Sequence, residues 1–304
     1  MDEKLSEPYY DKIRRKFLIK GINRRIGLCL GYCDRGRDFN CSFADLLSKL
    51  FRRSCTILAR YQILKIIDDG AYKLVYLRSI KYPLYWPNNM PLRSLYMVIT
   101  ESLYKDDWHY YEAPETTVEP GDIVLDCGAA EGLFSLKIMD RAECITIEPS
   151  PAFIGCLKKT FVGNGNVRIV PCALGSQAGQ ACLTSGILDS IVTGAKQNSP
   201  EGAVKVNVAT IDRLVCDLGL TRVDYIKGDL ESFELEVLKG AERTIREHMP
   251  KIAMTTYHPG NDWKEMRDYV LSLAPGYSWR VKGLSWSNEG PKPVMIHFWR
   301  PGRH

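Results

Sequence analysis

Val124-Leu125-Asp126-Cys127-Gly128-Ala129-Ala130-Glu131-Gly132 decides how this chain is read. The apolar run Ile123–Leu125 has the character of a buried strand, and it stops at an acid followed by a loop of small residues. An apolar segment, Leu133-Phe134-Ser135-Leu136, comes next. Strand, glycine turn and helix start in that order open a nucleotide-binding βαβ unit, where glycines let a ligand approach the backbone at a helix N-terminus. A second apolar strand, Cys144-Ile145-Thr146-Ile147, ends at Glu148. That acid falls about 20 residues beyond the loop's start, where a carboxylate meets ribose hydroxyls.

The loop also discriminates between nucleotides. Dinucleotide sites favour G-x-G-x-x-G, because pyrophosphate needs bare backbone and a positive helix end. Here the order is Asp126-x-Gly128-x-x-x-Gly132, with Glu131 inside it. A carboxylate at that position repels pyrophosphate and suits a ligand carrying ammonium and sulfonium groups. S-adenosyl-L-methionine is such a ligand, with an adenosine and no phosphate. The expected cofactor-binding residues are Asp126, Gly128, Ala129, Ala130, Glu131 and Gly132, then Glu148, Pro149 and Ser150. Cys172, Ala173 and Leu174, after the third strand, are expected to flank the adenine.

Outward from this unit, strands alternate with helices, which predicts a parallel α/β sheet covered on both faces. The strand candidates are Ile123–Leu125, Cys144–Ile147, Val167–Val170, Asp224–Lys227 and Lys251–Thr255. Two more, Ser278–Val281 and Val294–Trp299, are joined by a Gly- and Pro-containing loop too short for a crossover helix. They are expected to form an antiparallel hairpin at the sheet edge. Upstream, the chain divides into a basic helical region over 1–60 and a small β-rich subdomain over 61–117, with the main domain at 118–304. Ser42 is a candidate N-cap for a helix beginning at Phe43, and Asp68-Asp69-Gly70 is the turn of a β-hairpin.

Hydrophobic content of 45% and charged content of 25% are those of an ordinary globular protein, and the net charge of +5 is mild. The charge is uneven, with basic residues from Lys12 to Arg60 crowding the N-terminal region. A solvated helical face is the plainer reading, and contact with anionic lipid head groups or nucleic acid is the sharper one. No aromatic-basic pattern accompanies the charge, which speaks against nucleic acid. No apolar run approaches the roughly 20 residues of a spanning helix. Cys127, Cys144, Cys156, Cys172 and Cys182 fall in or near core elements, a usage that fits reduced thiols and a cytoplasmic location. Cys29, Cys33, Cys41 and Cys55 have no C-x-x-C spacing.

Ligands of open α/β sheets bind beyond the carboxyl ends of the strands. The fourth strand runs Lys227-Gly228-Asp229-Leu230-Glu231-Ser232 at its end, and the fifth ends in Tyr257-His258-Pro259. Acids at a helix start also act as caps, and a lone His is more often structural. Position on the ligand-facing rim makes Asp229, Glu231 and His258 the candidate catalytic residues, with Lys227 beside them. Two acids are too few for an all-protein cage, so no metal site is assigned.

An ordered series of motifs then resembles the FkbM methyltransferase family. It begins with Asp126-Cys127-Gly128-Ala129, Ile147-Glu148-Pro149-Ser150-Pro151 and Thr210-Ile211-Asp212-Arg213-Leu214. It continues with Tyr225-Ile226-Lys227-Gly228-Asp229-Leu230-Glu231, Val237-Leu238-Lys239-Gly240-Ala241 and Tyr257-His258-Pro259. The resemblance covers about Val118 to Arg300. It implies a class I methyltransferase, Rossmann-like sheet and an S-adenosyl-L-methionine-dependent O-methyltransferase acting on a hydroxyl of a sugar, glycan or natural product. The chain departs from the pattern at Ala130-Glu131 and at Ser232-Phe233. His258 or Asp229 is expected to take the hydroxyl proton, with Glu231 and Lys227 orienting the substrate or the base. Competing readings are ribose methylation of RNA, an NAD-type oxidoreductase, and a cofactor-binding module without chemistry.

Overall fold

The structure is a computed structural model, and it describes residues 25–34, 38–39, 42–185, 190–194, 203–287 and 290–302. Most of the basic N-terminal run, from Lys12 to Arg24, lies outside these residues, as do Arg35, Arg37 and Cys41. Helix α1 (Phe43–Phe51) starts where expected: Ser42 Oγ accepts from the Asp45 amide at 3.1 Å, and Asp45 answers to the Ser42 amide at 2.8 Å. Helix α2 (Cys55–Gln62) leads into strands β1 (Ile63–Asp69), β2 (Tyr72–Leu77) and β3 (Leu84–Pro87), an antiparallel meander. Gly70, at φ +72°, makes the β1–β2 turn. Helix α3 (Leu92–Leu103) follows, with Leu95 and Ile99 buried.

The main sheet comprises β4 (Ile123–Cys127), β5 (Glu143–Ile147), β6 (Val167–Val170), β11 (Tyr225–Gly228), β12 (Lys251–Thr255), β13 (Ser278–Lys282) and β16 (Met295–Trp299). Their order is β13-β16-β12-β11-β4-β5-β6. Strands β4, β5, β6, β11 and β12 pair in parallel, and the four inner ones are buried along most of their length, as a sheet covered on both faces requires, whereas the edge strand β6 is only half-buried. Helices α4 (Leu133–Ile138), α5 (Pro151–Thr160), α6 (Ile211–Asp217), α7 (Glu234–Lys239), α8 (Glu242–His248) and α9 (Trp263–Leu273) alternate with them.

The last two strands pair antiparallel and form the hairpin expected at the sheet edge. Strand β16 inserts between β12 and β13 and is antiparallel to both, so β13 forms the edge and runs with the other five. The loop between β13 and β16 forms a short ribbon, β14 (Ser285–Ser287) with β15 (Gly290–Lys292). A further sheet, β7 (Ala173–Leu174), β8 (Gly179–Ser185), β9 (Ser190–Gly194) and β10 (Val204–Ala209), was not foreseen from the sequence. Its β7 strand carries the chain away from the end of β6.

The segment before the main sheet is packed onto it. Tyr85 donates its amide to Thr160 Oγ1 at 3.1 Å, and Lys159 pairs with Asp69 at 2.9 Å, fastening the meander to α5. Lys49 lies 3.3 Å from Asp107, and Arg52 pairs with the same carboxylate, so two of the N-terminal cations are spent inside the protein. Every described cysteine is a free thiol. No helix among the described residues is long and apolar enough to cross a membrane.

Candidate active site

The ends of β4, β5, β11 and β12 open into one cavity of about 620 Å³, a size suited to a nucleoside-sized ligand and a second small molecule. One end is built by the loop after β4. Gly128 sits at φ +71°, and a Cβ there would fall 2.0 Å from the Asp229 carbonyl oxygen. Gly132, at φ +85°, is equally closed to a side chain by Leu157 and Phe161. Ala130 is also left-handed, at φ +47°. The carboxylate of Glu148 holds this loop in place: its Oε2 accepts from the Ala130 amide at 2.9 Å and its Oε1 from the Ser150 amide at 2.8 Å.

Of the expected cofactor-binding residues, Gly128, Ala129, Ala130, Glu131, Glu148, Pro149, Cys172, Ala173 and Leu174 line the cavity. Asp126, Gly132 and Ser150 stand behind that wall and support it. Asp126 is fully buried, accepts from Ser135 Oγ at 2.7 Å and pairs with Lys227 Nζ at 3.1 Å. Lys227 also donates to the Gly128 carbonyl at 2.6 Å, so its ammonium is turned onto the loop rather than the far end of the cavity. Burial pushes both Glu131 and Glu148 up to about 7. Two desolvated carboxylates and no unpaired cation at the loop disfavour pyrophosphate and fit a positively charged nucleoside carrying ribose hydroxyls. S-adenosylmethionine has this chemistry, and the bare Gly128 backbone lets the loop close onto the Asp229 carbonyl at the wall of the cavity.

The other end gathers Asp229, Glu231 and His258. His258 is 4% exposed, and its Nδ1 lies 2.8 Å from Glu234 Oε1. Glu234, wholly buried at the start of α7, also accepts from Asn261 Nδ2 at 2.6 Å, Thr255 Oγ1 at 2.7 Å and the Leu230 amide at 3.0 Å. So fixed, the imidazole turns Nε2 toward Glu231 Oε2 at 3.3 Å and Asp229 Oδ1 at 3.6 Å. Although burial alone would lower it, the Glu234 hydrogen bond and the surrounding carboxylates raise His258 to about 9. Asp229 is held down at about 2 by His109, His258, Lys227 and a 2.7 Å hydrogen bond from Tyr111 Oη. Such an anion is a weak base and a strong anchor.

Glu231 and Ser232 follow at φ +49° and +87°. Two consecutive non-glycine residues in the left-handed region cost about 1–3 kcal/mol each, a strain that accumulates at functional sites. The departure from the family pattern at Ser232 therefore falls on a strained turn that carries Glu231 into the cavity. Asp229, Glu231 and His258 are, among the described residues, the one group whose acidic or imidazole atoms converge within 4.8 Å as metal ligands would.

Several wall residues had no sequence signal. Glu101 of α3 faces the cavity beside Met97 and Val98, and burial raises its carboxyl above the usual range. Tyr111 anchors Asp229, and His109 Nε2 lies 3.1 Å from Tyr257 Oη. All lie before the main sheet, where nothing in the sequence pattern ties them to its strand ends.

Residues 126–278, half of the chain, match the Methyltransferase FkbM domain. Methyltransferase sdnD of Sordaria araneosa is 29% identical over 196 residues, spanning 52% of this chain and 74% of that protein. Among solved structures, methyltransferase FkbM from Methylobacillus flagellatus is 21% identical over 81% of this chain, with a TM-score of 0.45, and the match spans 58% of that protein's length. Aeropyrum pernix fibrillarin, solved with natively bound S-adenosyl-L-methionine, is 11% identical over 78% of this chain and 98% of its own, with a TM-score of 0.37. With its domain match, its loop and its sheet order in agreement, the chain belongs to the FkbM-domain methyltransferases.

Proposed function

We propose that this protein transfers the methyl group of S-adenosylmethionine to a hydroxyl oxygen of a small polyhydroxylated acceptor, of the sugar, glycan or natural-product class. The observation that carries this reading is the single cavity joining a nucleoside end, at Gly128 and Glu148, to an acid–imidazole end, at Asp229, Glu231 and His258. Bound S-adenosylmethionine supplies a methyl group made electrophilic by its sulfonium. In this reading Glu148 accepts from ribose hydroxyls, and Glu131 offers negative charge to the ligand's cationic part. The Lys227–Asp126 pair keeps the glycine loop from moving.

At the other end, Asp229 and Glu231 hold the acceptor hydroxyl, and His258 in its neutral form is the group that takes its proton. Glu101, Tyr111 and Tyr257 extend the polar wall around them. Holding two reactants in line in one cavity can lower a barrier by about 7–11 kcal/mol, and proton removal adds about 10²–10⁴-fold. The carboxylates at this end favour neutral hydroxyl-bearing acceptors over a phosphate backbone, which needs lysines and arginines. This supports a polyol over RNA. Contact with a membrane through the basic N-terminal region stays a separate proposal, supported only by the charge distribution.

Calorimetry with S-adenosylhomocysteine and with NAD, followed by transfer of labelled methyl to a panel of glycosides, polyketides and short RNAs, tests the reading. Binding of S-adenosylhomocysteine and labelling of a hydroxyl in the small-molecule panel are expected. NAD binding without S-adenosylhomocysteine binding overturns the donor, and labelling of RNA alone overturns the acceptor.

A further inference from the structure

We infer that Asp229, Glu231 and His258 form a binding site for one divalent transition-metal ion at the acceptor end of the cavity. The inference rests on the methyl-transfer reading for its purpose but not for its geometry. Three features carry it. First, the three side chains offer a nitrogen and two carboxylate oxygens within 4.8 Å of one another. Neighbouring ligands around a cation with bonds of about 2.1 Å lie about 3.0–3.4 Å apart. The His258 Nε2 separations from Glu231 and Asp229, 3.3 and 3.6 Å, need little adjustment to meet that.

Second, the imidazole is prepared as a ligand. His258 is buried, and its Nδ1 is bound to Glu234, whose own oxygens are held by Asn261, Thr255 and the Leu230 amide. A carboxylate behind a ligating histidine fixes the tautomer and strengthens the other nitrogen as a donor. Here that other nitrogen faces the two carboxylates and the cavity. Third, each oxygen of Asp229 has a distinct job. Oδ2 takes the Tyr111 hydroxyl at 2.7 Å, while Oδ1, which accepts from Thr255 Oγ1 at 3.3 Å, is the oxygen that faces His258 Nε2.

An imidazole with two carboxylates selects Mn²⁺, Co²⁺ or Zn²⁺ over Ca²⁺, which takes oxygen ligands alone. Three protein ligands leave coordination positions open toward the cavity, and a hydroxyl bound there is acidified by the metal. Imidazole ligates a metal in its neutral form, so binding at this site is expected to weaken at low pH.

The test uses the full chain, stripped with EDTA and titrated with MnCl₂ while free Mn²⁺ is followed by electron paramagnetic resonance. One Mn²⁺ per chain is expected, with pulsed resonance showing coupling to an imidazole nitrogen. Glu231→Gln should abolish tight binding, and Glu234→Gln should weaken it about 10–100-fold. No binding at millimolar Mn²⁺, Co²⁺ or Zn²⁺, no nitrogen coupling in the unmodified protein, or equal binding by a folded Glu231→Gln variant each overturns the site. S-adenosylhomocysteine is titrated into the same stripped sample. Its binding without metal binding defeats the metal site and leaves the methyltransferase reading standing, and the converse result defeats that reading alone.

Discussion

Glu234 Oε1 and His258 Nδ1 lie 2.8 Å apart in a pocket where both side chains are essentially sealed from water. The contact links the first turn of α7 to the residue three positions after β12, so two consecutive strand–helix units meet at one hydrogen bond. Its consequence is directional: Nδ1 is committed to the interior, and Nε2 is the nitrogen offered to the cavity. Glu234→Gln keeps the size of the side chain but removes the charge and turns one of the two acceptor oxygens that serve His258, Thr255 and Asn261 into a donor. Methyl transfer should fall about 10–100-fold while S-adenosylhomocysteine affinity stays within about twofold. Equal losses in turnover and donor affinity would show that Glu234 supports the fold rather than the imidazole.

The two loop carboxylates predict a pH response. Burial raises Glu131 and Glu148 from an ordinary 4.5 to about 7. A folded-state pKa above the unfolded value means that folding favours the protonated acid. That stabilisation is complete below about 4.5 and disappears as pH rises through about 7. His258, raised to about 9, acts in the same direction at higher pH. The ligand-free melting temperature should therefore drop between pH 5 and 8, and Glu131→Gln should flatten the curve. S-adenosylmethionine, with its positive charge, should stabilise more at pH 8 than at pH 5. Parallel curves for the unmodified protein and Glu131→Gln would remove the carboxyl from this account.

Lys227 and Asp126 form a buried pair whose members depend on each other. Lys227→Met leaves Asp126 desolvated without its cation, a change that typically costs about 3–5 kcal/mol. Chemical denaturation should show that loss, together with weaker donor binding, because the same ammonium holds the Gly128 carbonyl at 2.6 Å. Adding Asp126→Asn should recover part of the stability but not the donor affinity. A Lys227→Met protein of normal stability that lost only acceptor binding would restore Lys227 to the substrate-orienting role its sequence position suggests.

Much of this site was legible because open α/β sheets place ligands at strand ends, and five strand ends can be counted from apolar runs. Glu148, Asp229, Glu231 and His258 were found that way, from position alone. Glu234 was not, because an acid in the first turn of a helix looks like a cap, and only tertiary packing shows it reaching His258. The order of the last strands was equally hidden: a short connection predicts antiparallel pairing but not that β16 inserts beside β12. Strand β10 carries a signal, the alternation Val204-Lys205-Val206-Asn207-Val208, but nothing in that alternation shows that it pairs with β7 and β8 in a sheet of its own. Tyr111, His109 and Glu101 illustrate the harder limit. They belong to a segment without a motif, and their role exists only because that segment folds over the mouths of β4, β11 and β12.

Tyr111 gives that segment its clearest test. Its hydroxyl donates to Asp229 Oδ2 at 2.7 Å, its backbone carbonyl accepts from Tyr225 Oη at 2.7 Å, and its ring packs on Phe134. Tyr111→Phe removes the first interaction and leaves the other two available, so the fold should persist with a loss of about 0.5–1.5 kcal/mol, or up to about 3 because the acceptor is charged. Asp229 then loses one of the groups that depress its pKa, and its Oδ2 loses its partner. Turnover and acceptor KM should both suffer, by about tenfold together, while S-adenosylhomocysteine affinity is unchanged, because the ring whose centre lies 4.9 Å from Lys227 Nζ, beside the donor loop, is kept. A Tyr111→Phe protein that bound the donor weakly but processed acceptor normally would place this residue on the wrong half of the cavity.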